Sequence, residues 1–572
     1  MKKSIIYGLM FATGVSMASC DHFLDEHRFP TDQQTDNPAF WENEINVQGE
    51  IDYFYEYFMG YGNGASWNGT FYYQSLNDDQ IGKIASGSVN FADWNYLQVP
   101  TSNSVWSASY TAIRRANIII QNVSISNIAE AKKNNFLAQA RLNRAYQYYD
   151  LVRNLGDVPL VTTVLDVNSP ELYAGRTPRN EVMDFVLEDL DFAINNISEQ
   201  SNKIKWSVDL ANAIKTEICL YEASYARYHQ KDEARAKKFY EETVKAATPI
   251  IASYTYTDDY ASIYNSTMDA ADGMIGLLSN PEVILLKPYV KSINGHSLCK
   301  YTSTATNICG MTKDAFDAYL FLDGKPKAST TENATDMGVM DATGLSIQNL
   351  LDVRDKRLAA QIDPYVYYNN FTWSRNNSDP MQSLSGYGVR KFINPLMEYY
   401  YCVTDYQSYV NAPLFWLSKV ALDYAEARAE LGKLDDTDMN KTLNKLYIRA
   451  GLPTQTVASL SAMNDPANNM GVSSLLWEIR RCRRCELMFD GFRYWDLVRW
   501  HNLDLLDTTQ HPNINLGANA TPALADHPIS NVDGYICSFP DYSRKFSERE
   551  YLAPLGSGQI ALNPNLKQNP GW

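Results

Sequence analysis

Apolar residues recur three and four positions apart in two long stretches of the chain, and that spacing predicts two blocks of amphipathic helices with a break between them. The first pattern begins near Phe40 and carries Ile45, Ile51, Tyr55 and Phe58. Trp106, Tyr110, Ile113, Ala116 and Ile120 mark a helix whose partner covers 137–152, and Gly156 with Pro159 ends that partner. Thr177 reads as an N-cap with Pro178 at the first helical position, ahead of Val182, Val186, Leu190 and Ile194. Ser207 then caps a helix carrying Ile214, Ile218, Tyr221 and Tyr225, and 234–247 supplies another. Between 256 and 412 the rhythm fades into Asn, Ser, Thr, Gly and Tyr, with short strands such as 283–286. Helices resume over 414–431, stopped by Gly432, and over 443–450.

Helix pairs of small and aromatic residues at a period of roughly 34 are what tetratricopeptide repeats look like, and each pair needs a neighbour to cover its apolar side. The fold class expected is mostly α: a tetratricopeptide-like helical repeat frame with a large loop-rich, irregular insertion. Long segments of this kind in compact chains are functional or disordered. The rings at Tyr289, Tyr301, Tyr319, Tyr367 and Tyr387 favour function.

The stretch 475–500, LLWEIRRCRRCELMFDGFRYWDLVRW, sets Arg480, Arg481, Arg483, Arg484, Arg493 and Arg499 against Glu478, Glu486, Asp490 and Asp496. Phe489-Asp490-Gly491 breaks it into a helix-turn-helix hairpin. Charges interleaved this closely with Trp and Phe cannot all reach water. Partly buried, forked Arg–carboxylate pairs are therefore expected in preference to an open anion site. Residues Arg483 to Trp500 resemble the signature of the SusD/RagB family of outer-membrane nutrient (glycan)-binding lipoproteins, which runs approximately E-R-R-x-E-L-x-F-E-G-x-R-W-x-D-L-x-R-W. Cys482 stands where the family has Glu, which takes away one ion pair, and Asp490 replaces the second Glu. The closing stretch Asn563-Pro564-Asn565-Leu566-Lys567-Gln568-Asn569-Pro570-Gly571 is similar to the family's N-P-x-L-x-Q-N-P-G. The resemblance implies a non-catalytic role in capturing oligosaccharide or polysaccharide. It also implies a partner, a SusC-like TonB-dependent outer-membrane transporter that the lipoprotein caps as a lid.

The N-terminus reads as an address. Met1-Lys2-Lys3, an apolar run over 5–18 and Met17-Ala18-Ser19-Cys20 form a signal peptide over 1–19 that resembles a lipobox, with Cys20 as the lipid attachment residue. Each buried acyl methylene contributes roughly 0.8 kcal/mol, enough in sum to hold the chain on a membrane, and the family resemblance implies the outer membrane with the protein facing outside. Residues 20–39 are then a polar tether and 40–255 an N-terminal helical region with an aromatic loop at 60–100. They are followed by a ligand-facing insertion over 256–412, further tetratricopeptide-like helices with the signature hairpin over 413–503, and a loop-rich segment over 504–572.

Composition narrows the ligand. A net charge of −16 argues against nucleic acid, whose binding draws on Lys and Arg. With 39 Tyr, 11 Trp and 21 Phe there are more rings than a core needs, which points to neutral ligands such as sugars, anionic ones requiring a local basic patch. The candidate ligand-binding residues are Trp67, Tyr72, Tyr73, Trp94 and Tyr96, with Trp373 and Tyr387 from the insertion. No H-E-x-x-H, G-x-S-x-G or P-loop occurs, so no catalytic residue and no cofactor is expected. Asp78-Asp79, Asp258-Asp259 and Asp435-Asp436 read as solvated or capping acids; they leave a structural calcium site open without predicting one. Cys482 and Cys485 read as two small core or surface residues, and Cys299 and Cys309 as a pair able to close a loop in an oxidising compartment. A surface-anchored glycoside hydrolase, or a family member binding peptide or glycopeptide, are the alternatives.

Overall fold

The computed structural model describes residues 37–62, 69–71, 76–82, 94–267, 276–303, 309–367, 383–541 and 543–572. Helix α1 (Glu44–Asp52) buries Val47 and Ile51, one helical turn apart. Ile45 lies roughly half a turn round from Val47 and is 81% exposed, so it leaves the apolar face expected for it. Then come α2 (Ser104–Ile125), α3 (Glu130–Leu155), α4 (Arg179–Asn196), α5 (Val208–Tyr225) and α6 (Glu233–Ser253). Each packs against the one before it from α3 onward, the stacking that a tetratricopeptide-like frame requires. Arg144 of α3 reaches across this seam and forks onto both oxygens of Asp189 in α4, at 2.8 and 2.9 Å.

The start of α4 differs from the sequence expectation. Thr177 pairs with Val158 as a two-residue bridge, and its hydroxyl accepts from the Leu160 amide. The first free amide of the helix, on Arg179, donates instead to Asp157 Oδ1 at 2.8 Å. Ser207 caps α5 as expected, accepting from Leu210 N.

The break after α6 is filled by structure of its own. Strand β1 (Gln80–Gly82) pairs with β3 (Cys309–Met311), and β2 (Val283–Lys287) pairs with a later strand over Ala412–Trp416. A four-stranded antiparallel sheet runs β4 (Val339–Met340), β5 (Leu345–Ser346), β6 (Ile362–Tyr367), β7 (Gly386–Val389). Tyr289, Tyr319, Tyr367 and Tyr387 are buried in the insertion and do not line loops. Residues 414–416, expected to be helical, belong to strand β8 (Ala412–Trp416), because a short apolar run follows Pro413 and finds β2 to pair with.

The helical array then resumes. Helix α7 (Leu417–Glu430) packs on α5 and α6 across the sequence gap, and α8 (Asp436–Lys441), α9 (Leu443–Arg449), α10 (Ser474–Glu486) and α11 (Arg493–Arg499) follow. Phe489 and Gly491, both at positive φ, make the turn between the last two. Among the described residues two large apolar cores result, with a smaller cluster between α4, α5, α6 and α7 around Phe239 and Tyr240. One is built on α2 to α5 and takes in Leu497, Val498 and Trp500; the other is built on the insertion and takes in Ile479, Cys482, Met488 and Phe489. The signature hairpin therefore straddles both. Among the described residues no helix is long and apolar enough to cross a membrane.

Candidate functional site

The six signature arginines are paired, as the interleaving of charge and rings predicts. Arg493 forks onto both oxygens of Asp78 at 2.7 Å, and Arg499 forks onto Glu426 at 2.7 Å. Arg483 joins Asp496 at 2.8 Å to Asp423 at 2.5 Å, Arg484 joins Asp79 to Asp314, Arg480 reaches Glu430, and Arg481 reaches Glu478 and Asp465. The network is a buried clamp and not an anion-binding surface. Asp78 and Asp79 are 3% and 2% exposed, so the expectation that they are solvated or capping acids is corrected: they are counter-ions. Burial pushes Asp79 up to about 6, whereas at Asp78 the Arg484 and Arg493 guanidiniums outweigh burial and hold the carboxyl below its usual range. Asp435 does cap, accepting from Asp438 N, and Asp259 accepts from Ala261 N in the turn that precedes a short helical turn.

Cys482, in the position of the missing Glu, lies 3.8 Å from Arg357 Nη1, whose charge is taken by Asp355 and by Glu486 at 2.8 Å. Both Cys482 and Cys485 are buried, and burial raises both thiols, Cys482 to about 11. They are core residues. The Cys309 side chain lies outside the described residues, and with it the loop-closing pair.

The three predicted ligand rings among the described residues, Trp94, Tyr96 and Tyr387, do not share a site. Trp94 donates from Nε1 to the Lys545 carbonyl at 2.7 Å and packs edge-on against Phe546. Tyr96 meets Trp572 edge-on at 6.4 Å, so both rings cover the C-terminal segment. Tyr387 is 2% exposed and stacks on Phe316 with centroids 4.6 Å apart, a core position that corrects its reading as a ligand ring. Trp67, Tyr72, Tyr73, Trp373 and Cys20 lie outside the described residues.

An open aromatic face occurs elsewhere in the insertion. The short helix Tyr399–Val403 turns Cys402 inward and leaves Tyr399 and Tyr400 exposed at 45% and 55%. Tyr401 packs edge-on against Tyr400 and Tyr409, and the Lys291 ammonium sits over its ring at 4.6 Å. The following loop returns across Gly295, where a Cβ would meet the Tyr406 carbonyl at 2.2 Å, so only glycine fits. Buried His296 fixes this floor: it exchanges backbone hydrogen bonds with Ser408, accepts from Leu298 N at Nδ1, and donates from Nε2 to the Val410 carbonyl. Burial lowers its pKa to about 3, which keeps the ring neutral. Beside the helix opens a pocket of about 450 Å³ lined by Asn265, Arg390, Asn394, Met397, Tyr399 and Val403, among others. Much of its polar lining is engaged within the protein: Asn394 donates to the Asn265 carbonyl and accepts from Leu396 N, Asn265 donates to the Ile393 carbonyl, and Arg390 pairs with Asp363. The exposed Tyr399 ring at its edge offers a face on which a sugar can stack.

These tyrosines were missed in the sequence, yet a signal was there. Three consecutive tyrosines in a helix span far more than one face, so at least one must look outward.

A second cleft, of about 340 Å³, runs between α2 and the closing segment and is lined by Trp106, Tyr110, Leu562 and Leu566. Two of its polar side chains are committed to the fold, Gln559 to Ser102 and Asn103, and Asn563 to the Leu172 and Ala174 carbonyls.

The comparisons agree with this architecture. A sequence model described as the SusD family matches residues 285–572, and one described as "Starch-binding associating with outer membrane" matches 22–220. A SusD-like protein of Bacteroides ovatus is 30% identical over 172 residues, 27% of this chain and 31% of that protein, so the match spans about a third of that relative's length. A SusD-like protein of Formosa agariphila is 23% identical over 69% of this chain and 71% of its own length. Among solved structures, a SusD-like carbohydrate-binding protein from Bacteroides fragilis superposes with a TM-score of 0.69 at 19% identity, over 92% of this chain and 100% of that one. The surface glycan-binding protein A of Bacteroides fluxus gives 0.61 at 17% identity, over 93% and 100%. At these identities the solved structures speak to the fold, and the 285–572 match, half of the chain, to descent: this chain belongs to the SusD family.

Proposed function

We propose that the protein is a non-catalytic surface lipoprotein of the outer membrane, anchored through Cys20, that binds oligosaccharide on the face around Tyr399–Val403 and delivers it to a SusC-like TonB-dependent transporter. Family membership supports the ligand class, and the match over 22–220 to starch-binding proteins that associate with the outer membrane supports the location. The observation that carries the site is the exposure of Tyr399 and Tyr400 beside a largely apolar pocket of about 450 Å³. A ring stacked on a sugar face contributes roughly 1 kcal/mol at ~25 cal/mol/Å², so two rings with polar partners give affinities of about millimolar to micromolar, weak enough for hand-over.

Isothermal titration of purified protein against a panel of plant, host and microbial glycans tests this. Binding is expected to at least one, weakened about thirtyfold in the double variant Tyr399→Ala/Tyr400→Ala, with no new reducing ends released. Release of product would replace the proposal with a hydrolase, and unaltered binding by the double variant would move the site elsewhere.

A further inference from the structure

The pocket beside Tyr399 is walled mainly by carbon. Ala359, Ala360, Ile393, Pro395, Met397 and Val403 line it, and at about 450 Å³ it has room for a substituted sugar ring. The charge on its wall is offset, because Arg390 pairs with the fully buried Asp363 at 2.7 Å. Asn394 is occupied at both ends of its amide, donating to the Asn265 carbonyl and accepting from Leu396 N, each at 2.8 Å. Asn265 is occupied at one end only: its amide nitrogen donates to the Ile393 carbonyl at 3.3 Å, and no described residue donates to its Oδ1 atom. Since the side chain is half-buried and lines the pocket, that oxygen is an acceptor left open on an apolar wall.

Such a lining discriminates among the groups that sugars carry. A hydroxyl turned to the aliphatic wall loses its hydrogen bonds to water without replacement, a cost that a methyl does not meet. An O-acetyl ester brings a methyl but no donor for Asn265, and a hydroxyl brings a donor but no methyl. An acetamido group brings both, on a substituent whose carbonyl can stay hydrated at the mouth. Resting on the glycan-binding reading above, we propose that the ligand contains an N-acetylated amino sugar: the acetamido methyl packs in the pocket, its N–H donates to Asn265 Oδ1, and the ring lies on Tyr399.

Isothermal titration of the purified protein tests it with neutral pairs that differ only in an acetamido group for a hydroxyl: chitotetraose against cellotetraose, N-acetyllactosamine against lactose, and methyl N-acetylgalactosaminide against methyl galactoside. In at least one pair the acetamido member should bind about tenfold tighter, the combined effect of one buried methyl and one added hydrogen bond. Asn265→Leu, which keeps the wall apolar and removes the acceptor, should cut that preference to about fourfold, the share of the methyl. Ala359→Trp, which narrows the pocket from an exposed position, should abolish it. Because Asn265→Leu also loses the bond to the Ile393 carbonyl, saturation-transfer NMR on the wild type is the second readout, and the acetyl methyl protons should receive the strongest saturation in the ligand. Equal binding within every pair, a preference untouched by both variants, strongest saturation away from the acetyl methyl, or binding confined to glycans without amino sugars overturns the acetamido assignment and leaves glycan binding standing. Failure of every sugar here and of the wider glycan panel removes the reading beneath it as well.

Discussion

Glu478 in α10 gives one oxygen to Arg481 at 2.8 Å, while Oε2 is buried without a hydrogen-bond partner. Burial is the larger influence on it, above the attraction of Arg481, and pushes its pKa from an ordinary 4.5 up to about 7. Between those two values the folded chain holds a proton that the unfolded chain has released, so stability falls as pH rises through that window. Glu478→Gln keeps the shape and the acceptor for Arg481 but removes the titration. In urea unfolding, the stability difference between variant and wild type should move in the variant's favour by ~3 kcal/mol from pH 4.5 to pH 8. A difference that stays flat with pH would show that Arg481 neutralises the carboxylate fully. At this scale the sequence was half legible. That the arginines must pair follows from their interleaving with Trp and Phe, but Arg493 finds Asp78, 415 positions away, and nothing local marks that acid as a partner. The same blindness made Tyr387 look like a ligand ring: a tyrosine carries no sign of whether Phe316 will cover it.

Helices with an unbroken apolar stripe were readable, and their ends less so. Ser207 sits directly before its helix and bonds Leu210 N, whereas the cap of α4 comes from Asp157, displaced along the chain because Thr177 is held in a bridge to Val158. Asp157→Ala should cost about 1 kcal/mol in urea unfolding, the usual loss for an N-terminal cap. Thr177→Val, which keeps the backbone bridge, should cost less. If the threonine variant proves the more harmful, Thr177 is the cap after all. The strand over Ala412–Trp416 was misread for a related reason. A short apolar run is compatible with helix and buried strand alike, and the deciding partner, Val283–Lys287, lies more than a hundred residues upstream.

Taken whole, the molecule solves a problem that its sequence order creates. A helical array is interrupted after α6 by an insertion with its own core, and α7 must return to α5 and α6 to continue the stack. Helix α7 shares in both cores, through Leu417 and Val420 on one side and Leu422 and Ala425 on the other. The signature hairpin does the same, with Ile479 and Met488 in one core and Leu497 and Trp500 in the other. Arg483 ties these straddling elements together, reaching Asp423 in α7 and Asp496 in α11 from α10. That position explains why the recognisable stretch of the sequence is structural and the proposed ligand face is not recognisable: the clamp admits few solutions, while an exposed ring beside a pocket admits many. If the clamp couples the two cores, the wild type unfolds in one calorimetric transition. Arg483→Met, which keeps the length of the side chain and deletes its charge, should cost about 3 kcal/mol by stranding buried carboxylates. It should also split the transition in two, the cores then melting separately. A single transition displaced by less than about 1 kcal/mol would mean that apolar packing across α7 alone holds the halves together.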